Sequence, residues 1–106
     1  MPQKKNIGLF FGTFNPIHVG HLVIANYMAQ LHGVSQIWFV VSPLNPLKNK
    51  ASILPDYHRL RLVNEAIFEN TRLQASDIEF QLPQPSYTID TLTYLEEKYP
   101  DVDFMI

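Results

Sequence analysis

Gly12-Thr13-Phe14-Asn15-Pro16-Ile17-His18-Val19-Gly20-His21 joins an apolar run to an amphipathic helix pattern, and its reading decides the fold. Ahead of it, Ile7-Gly8-Leu9-Phe10-Phe11 reads as a buried β-strand; behind it, Leu22 to Leu31 reads as a helix. A glycine turn at the carboxyl end of a first strand, feeding a helix N-terminus, is the usual place for phosphate or nucleotide in an open α/β sheet. His18 and His21 are three residues apart. On a first helical turn that spacing puts both imidazoles on one side, where free backbone N–H groups and the helix dipole favour anions. Imidazole N–H groups can donate to phosphate oxygens, and the ring's proton affinity responds to nearby negative charge. Gly12 would allow close backbone approach, and Gly20 would keep a side chain out of the space beside the phosphate. Two plainer readings stay open: His18 caps or satisfies the turn, or the pair contributes to a zinc site. The zinc reading is the weaker, because the chain has no cysteine and no third and fourth ligand at short spacing.

Outward from this stretch, the first helix is expected to run from His18–Gly20 to about His32, with Gly33 ending it. Leu22, Ala25 and Ala29, joined by Tyr27, Met28 and Leu31, would form its buried side, and Asn26 and Gln30 its wet one; His32 is a surface residue. Ile37-Trp38-Phe39-Val40-Val41 reads as a parallel strand covered on both faces, which makes Trp38 core rather than a ligand platform. Ser42 to Lys50 is a loop by its prolines and asparagines, and it lies on the sheet edge where ligands gather. From it Lys48 or Lys50 could reach a phosphate, the alternative being a solvated face. Pro55 and Asp56 open a helix from Tyr57 to about Asn70, with Leu60, Val63 and Ile67 inward. Arg59 and Arg61 read as surface partners of Asp56 and Glu65, with Arg59 facing the site as the lesser alternative.

A short strand at Thr71–Ala75 leads on to Leu82-Pro83-Gln84-Pro85, a loop that holds Ser86-Tyr87-Thr88 at another loop-to-helix junction. Ser86 or Thr88 can cap the helix that follows, whose apolar set is Ile89, Leu92, Leu95 and Tyr99, and Pro100 ends it. Asp101 to Ile106 resembles the entry into a further buried strand, and the chain stops inside it. The expected class is α/β: a Rossmann-like open parallel sheet with helices on both faces, truncated at the C-terminus, with residues 1–106 as one domain portion.

Composition limits the partners. The chain has 106 residues, 46% hydrophobic and 17% charged, which suits one globular domain with a modest core. A formal charge of −2 gives no reason to expect a nucleic-acid polymer. The absence of cysteine excludes disulfide and thiolate chemistry. The N-terminal apolar run is too short for a signal peptide or a spanning helix, so no membrane partner is expected and a cytoplasmic protein is the default. An interrupted sheet edge would invite pairing with another copy, a possible homo-oligomer.

The segment GTFNPIHVGH resembles the G-x-F-x-P-x-H-x-G-H signature of the nucleotidyltransferase superfamily, and the chain resembles the N-terminal part of bacterial nicotinate-nucleotide adenylyltransferases. The resemblance implies that Gly12, Thr13, Phe14, His18, Gly20 and His21 hold the ATP phosphates, with His18 and His21 catalytic. It implies a basic loop that touches nucleotide phosphate; here Asn45-Pro46-Leu47-Lys48 stands where relatives have Pro-Pro-His-Lys, so the role falls on Lys48. Ser86-Tyr87-Thr88-Ile89-Asp90-Thr91-Leu92 resembles the Ser-Tyr-Thr-x-x-Thr-Leu signature of the nicotinate-nucleotide enzymes, which gives Thr88, with Tyr87 beside it, the pyridine carboxylate. The implied reaction joins ATP to nicotinate mononucleotide, giving deamido-NAD and pyrophosphate, with Mg2+ entering through ATP and no protein metal ligand named. Such relatives continue past this point with an acidic residue just after the strand and a later Ile-Ser-Ser-Thr-x-x-Arg-like motif, neither of which is present, so a fragment is expected. The alternatives are an acceptor such as nicotinamide mononucleotide or phosphopantetheine, and a nucleotide-binding fragment without turnover.

Overall fold

Strands and helices alternate along the chain and assemble on one parallel sheet. In the computed structural model, which describes residues 5–43, 54–83 and 87–106, the elements are β1 (Lys5–Gly12), α1 (Val19–Ala29), β2 (Gln36–Val41), α2 (Asp56–Ala66), β3 (Leu73–Ser76), α3 (Ile78–Gln81), α4 (Thr88–Lys98) and β4 (Val102–Met105). The sheet order is β3-β2-β1-β4, with every pairing parallel. The chain therefore steps outward from β1 through β2 to β3 and then crosses back to the far side of β1. The crossovers place α1 and α2 on one face of the sheet and α3 and α4 on the other. The direction changes beside β1, and the loop leaving β1 at Gly12 stands at the switch point where ligands of open α/β sheets bind.

Alternation of side chains along the strands builds a separate core on each face. On the α1–α2 face, Ile37, Phe39, Val41 and Leu73 pack with Ala25, Ala29, Val63, Ile67 and Phe14. On the other face, Ile7, Leu9 and Val40 pack with Ile78 and Leu95. Register explains the division: Leu9 lies opposite Trp38, and Phe10 opposite Phe39. Trp38 is half-buried and packs against the core of Ile7, Leu9 and Val40, edge-on to Tyr99 and Phe104, with its indole N–H donating to Gln36 Oε1 at 3.2 Å. Val102–Met105 does form a strand, paired with β1, but it is not the buried strand expected: Val102 and Phe104 are half-buried and Asp103 and Met105 exposed. Among the described residues no helix is long and apolar enough to cross a membrane.

Several expectations need correction. α1 ends at Ala29; Leu31 N–H bonds to Met28 and Val34 N–H to Leu31, and Gly33, at φ +86°, turns the chain after the helix has already stopped. Its buried side is narrower than the hydropathy pattern implies. Ala25 and Ala29 face the sheet, whereas Tyr27, Met28 and Leu31 are exposed. Asn26 is the inward residue, bonding to the Leu22 carbonyl and accepting from Asn70 Nδ2. Small residues let the helix backbone approach the strands, and larger apolar side chains were thereby displaced outward. Ile24, Met28 and Leu31 border, with Met105 and Ile106, an apolar groove of about 520 Å³.

α2 stops at Ala66, short of Asn70. β3 begins at Leu73, later than expected, and Ile78–Gln81 forms a single helical turn. Ile89 is exposed, and Thr91 takes the buried position beside Leu95. Thr88 is the first residue of α4 rather than its cap: Tyr87 is the N-cap, and its N–H donates to Asp90 Oδ2 at 3.2 Å. Ser86, the other expected cap, lies outside the described residues, as do Asn45, Lys48 and Lys50.

Candidate functional site

The loop between β1 and α1 is shaped from within by Phe14. This residue has φ +49°, a left-handed conformation that costs a non-glycine residue about 1–2 kcal/mol. Its ring is almost completely buried, edge-on to Phe10, Phe39 and His21, and burying a phenyl group stabilises by about 1.5–3 kcal/mol, enough to offset the backbone cost. A Cβ on Gly12 would lie 2.9 Å from the Phe14 ring. A protein side chain therefore already requires glycine at position 12, independently of any ligand at its backbone. Thr13 is exposed, with its carbonyl turned inward to accept from Arg59 Nη1 at 2.7 Å.

The histidines close the start of α1 on each other. His18 is the N-cap. Its Nδ1 accepts from the Gly20 N–H at 3.0 Å, and its own backbone N–H donates to His21 Nδ1 at 3.1 Å. The two rings stack with centroids 3.8 Å apart and planes 29° from parallel. The capping reading of His18 is therefore correct, and it leaves the phosphate reading intact. With each Nδ1 accepting a backbone proton, each ring proton sits on Nε2, so the cap fixes two N–H donors for a ligand. Gly20 is covered in the same way as Gly12, since a Cβ there would lie 2.8 Å from His18 Cε1. Burial lowers the pKa of His21 below the usual 6.5, and the adjacent His18 lowers it further. Both causes favour the neutral, Nδ1-accepting ring that the cap requires.

The first turns of the three long helices differ in charge. α2 begins with Asp56 and α4 contains Asp90, whereas α1 has no acidic residue in its first turn. Carboxylates already compensate the positive ends of α2 and α4; the end of α1 offers only backbone and imidazole donors. Arg59 is not at the surface as first expected; it reaches the motif loop from inside the fold. It is fully buried and its guanidinium bonds to Asp56 and to backbone carbonyls. Its signal in the sequence was the three-residue spacing from Asp56. Asn15 was missed altogether; its Oδ1 accepts from the Leu54 N–H at 2.9 Å and ties the motif loop to the approach to α2.

The structure brings Gly12, Thr13, Phe14, His18, Gly20 and His21 together in one loop and helix start. Tyr87 and Thr88, both exposed, begin a helix that packs on the opposite face of the sheet. Among the described residues neither forms a hydrogen bond or ring contact with His18 or His21. No group of three or more His, Cys, Asp or Glu side chains converges among the described residues, and imidazole nitrogens are poor ligands for magnesium, which prefers oxygen.

A family model described as cytidylyltransferase-like matches residues 9–106, a span that takes in the end of β1 and the whole motif loop. The chain belongs to this family. Within the cytidylyltransferase-like proteins it is 56% identical over 100 residues to a protein of Flavobacterium psychrophilum named "Probable nicotinate-nucleotide adenylyltransferase", covering 94% of this chain and 52% of that one. A protein of the same name from Flavobacterium johnsoniae is 57% identical over 100 residues, with 94% and 52% covered. The chain spans about half the length of the curated relatives it matches. Among solved structures, the nicotinic acid mononucleotide adenylyltransferase of Plasmodium falciparum complexed with NaAD superposes with a TM-score of 0.75 at 21% identity, covering 94% of this chain and 49% of that chain. At that identity the likeness concerns the fold, and it agrees with the α/β Rossmann-like sheet described above.

Proposed function

We propose that these residues serve a nicotinate-nucleotide adenylyltransferase, in which an oxygen of the 5′-phosphate of nicotinate mononucleotide attacks the α-phosphorus of ATP. A new P–O–P bond forms, the bond to the β-phosphate oxygen breaks, and pyrophosphate leaves with that electron pair. The observation that carries the reading is the reciprocal histidine cap, which aims two Nε2–H donors from a helix start free of acidic residues. Relatives more than half identical and named for this reaction support the choice of substrates.

The nucleophile is already an anion, so catalysis needs alignment and stabilisation of charge on the α-phosphate and the departing pyrophosphate. His18 and His21 contact phosphate oxygens, assisted by the backbone around Gly12 and Thr13 and by the dipole of α1. Gly20 and Phe14 hold the two rings in place, and Lys48 adds positive charge from the neighbouring loop. Thr88 and Tyr87 receive the pyridine nucleotide. Magnesium enters with ATP as part of the substrate. The setting is the cytoplasm, where ATP is the adenylyl donor.

Release of pyrophosphate by the full-length protein tests this directly, with nicotinate mononucleotide, nicotinamide mononucleotide and phosphopantetheine compared as acceptors under one set of conditions. Turnover is expected to be fastest with nicotinate mononucleotide. Faster turnover with either of the others would reassign the acceptor, and none with any would remove the reading. A Thr88→Ala variant is expected to weaken binding of the pyridine nucleotide more than that of ATP; equal weakening would remove Thr88 from acceptor recognition.

A further inference from the structure

Arg59 sits fully buried in the first turn of α2, an unusual place for a cation. Its Nη1 donates to the Thr13 carbonyl at 2.7 Å and to the Ser42 carbonyl at 2.8 Å, its Nε donates to the Leu54 carbonyl at 2.9 Å, and its Nη2 pairs with Asp56 Oδ1. Thr13 belongs to the loop that carries His18 and His21, Ser42 follows β2, and Leu54 precedes α2. One guanidinium thus holds three separate segments at the carboxyl edge of the sheet. Two more bonds close the same joint: Ser42 N–H donates to the Gly12 carbonyl at 2.9 Å, and Leu54 N–H to Asn15 Oδ1 at 2.9 Å. A buried charge is tolerable only when it is paired and hydrogen-bonded, and this one is bound on every side. The planar fork of donors is also what the geometry demands, because the compact ammonium of a lysine cannot address separated carbonyls in the same fixed directions.

We propose that Arg59 is a positioning residue for adenylyl transfer: it sets the motif loop against the end of β2 and so aims the Nε2 donors of His18 and His21, without itself touching phosphate. The proposal rests on the adenylyltransferase reading for its kinetic consequence. A displacement of about 1 Å at an aligned site can cost roughly 100-fold in rate, so loss of this joint reaches the chemistry although the residue is remote from it.

The experiment uses the full-length protein with Arg59→Lys, followed by pyrophosphate release and by NMR titration of the histidines. For a variant that retains the wild-type circular dichroism, kcat is expected to fall by about 100-fold with little change in the KM for ATP, and the titration of His21 is expected to move as its stacking on His18 is disturbed. Should Arg59→Lys fail to fold, Asp56→Asn carries the test. It keeps an acceptor for Nη2 but weakens the charge-assisted bond, and a smaller fall in kcat is expected. A folded variant that retains wild-type kcat and an unmoved His21 titration, while losing only thermal stability, overturns the proposal. Failure of the wild-type protein to release pyrophosphate would instead count against the adenylyltransferase reading. The His21 titration in folded Arg59→Lys then decides positioning alone, and an unmoved titration overturns it.

Discussion

The starts of α1 and α4 solve the same problem with different chemistry. Both helices need a partner for the backbone N–H of the N-cap residue. At α4 the Asp90 carboxylate accepts from the Tyr87 N–H; at α1 the neutral Nδ1 of His21 accepts from the His18 N–H. A carboxylate cap satisfies the backbone and also compensates part of the helix dipole, so a ligand there must be held by side chains such as those of Tyr87 and Thr88. An imidazole cap satisfies the backbone, leaves the dipole uncompensated and presents a donor on its far side. A helix start can therefore be well capped and still be available to phosphate, provided that the cap carries no negative charge.

The largest expected effect strikes the donors themselves. His18→Ala or His21→Ala in the full-length protein should slow pyrophosphate release by about 10²–10³-fold, the usual cost of removing one oriented donor from a site of developing charge. Circular dichroism should change little, since an N-cap contributes only about 1 kcal/mol to stability. Unchanged turnover in both variants would remove the histidine cap of α1 from phosphate binding.

The shape of the motif loop comes next. Gly12→Ala is expected to destabilise by about 1–3 kcal/mol in chemical denaturation, because the new methyl group meets the buried Phe14 ring. Gly20→Ala should be milder for stability, since it meets the more exposed His18 ring, yet it should displace that ring and weaken ATP binding. Equal stability losses would show that the two glycines are covered by equally rigid neighbours.

Exchanging the charge pattern sharpens the comparison further. Val19→Glu puts a carboxylate in the exposed first turn of α1 and should stabilise the helix by about 0.3–1 kcal/mol while lowering affinity for ATP, measured by calorimetry. Asp90→Ala should destabilise by about 0.5–1 kcal/mol through loss of the cap bond and leave ATP affinity unchanged. An unaltered ATP affinity in Val19→Glu would remove the α1 dipole from phosphate binding.

The smallest effect is in the pH response. His21 has its pKa lowered from 6.5 by burial and by His18. The folded chain consequently binds fewer protons than the unfolded chain between that lowered value and 6.5. The stabilising contribution is present above 6.5 and is lost as pH falls through the lowered folded value. NMR titration should find His21 below the ordinary imidazole range, His18→Ala should raise it, and ATP should raise it further. A value that rises in neither case would break the coupling between the rings.

Much of the architecture was legible because hydropathy periods report burial. The continuous apolar run at Ile37–Val41 and the pattern before Gly12 identified the two central strands, and the motif pointed to the end of the first as the candidate site. Periodicity failed on α1, where Tyr27 and Met28, and Leu31 just past its end, are large and largely apolar and yet exposed. A helix that is apolar nearly all round has no hydropathy contrast from which to choose its buried face. Arg59 failed for the converse reason: a charged residue on a helix reads as exposed unless its partners are known, and three of its acceptors are backbone carbonyls that no side-chain pattern reveals.

From its residues alone, this chain determines a parallel α/β sheet and a histidine pair at the first helix start, because side-chain period and the spacing of His18 and His21 are local properties. Only the tertiary structure decided what those residues do for one another. The Phe14 ring over Gly12, the His18 ring over Gly20 and the Arg59 fork between Thr13 and Ser42 are contacts formed when segments distant in sequence, or a tightly turned backbone, come together in space. Their energy depends on distance and direction, and neither quantity is written in the order of the amino acids.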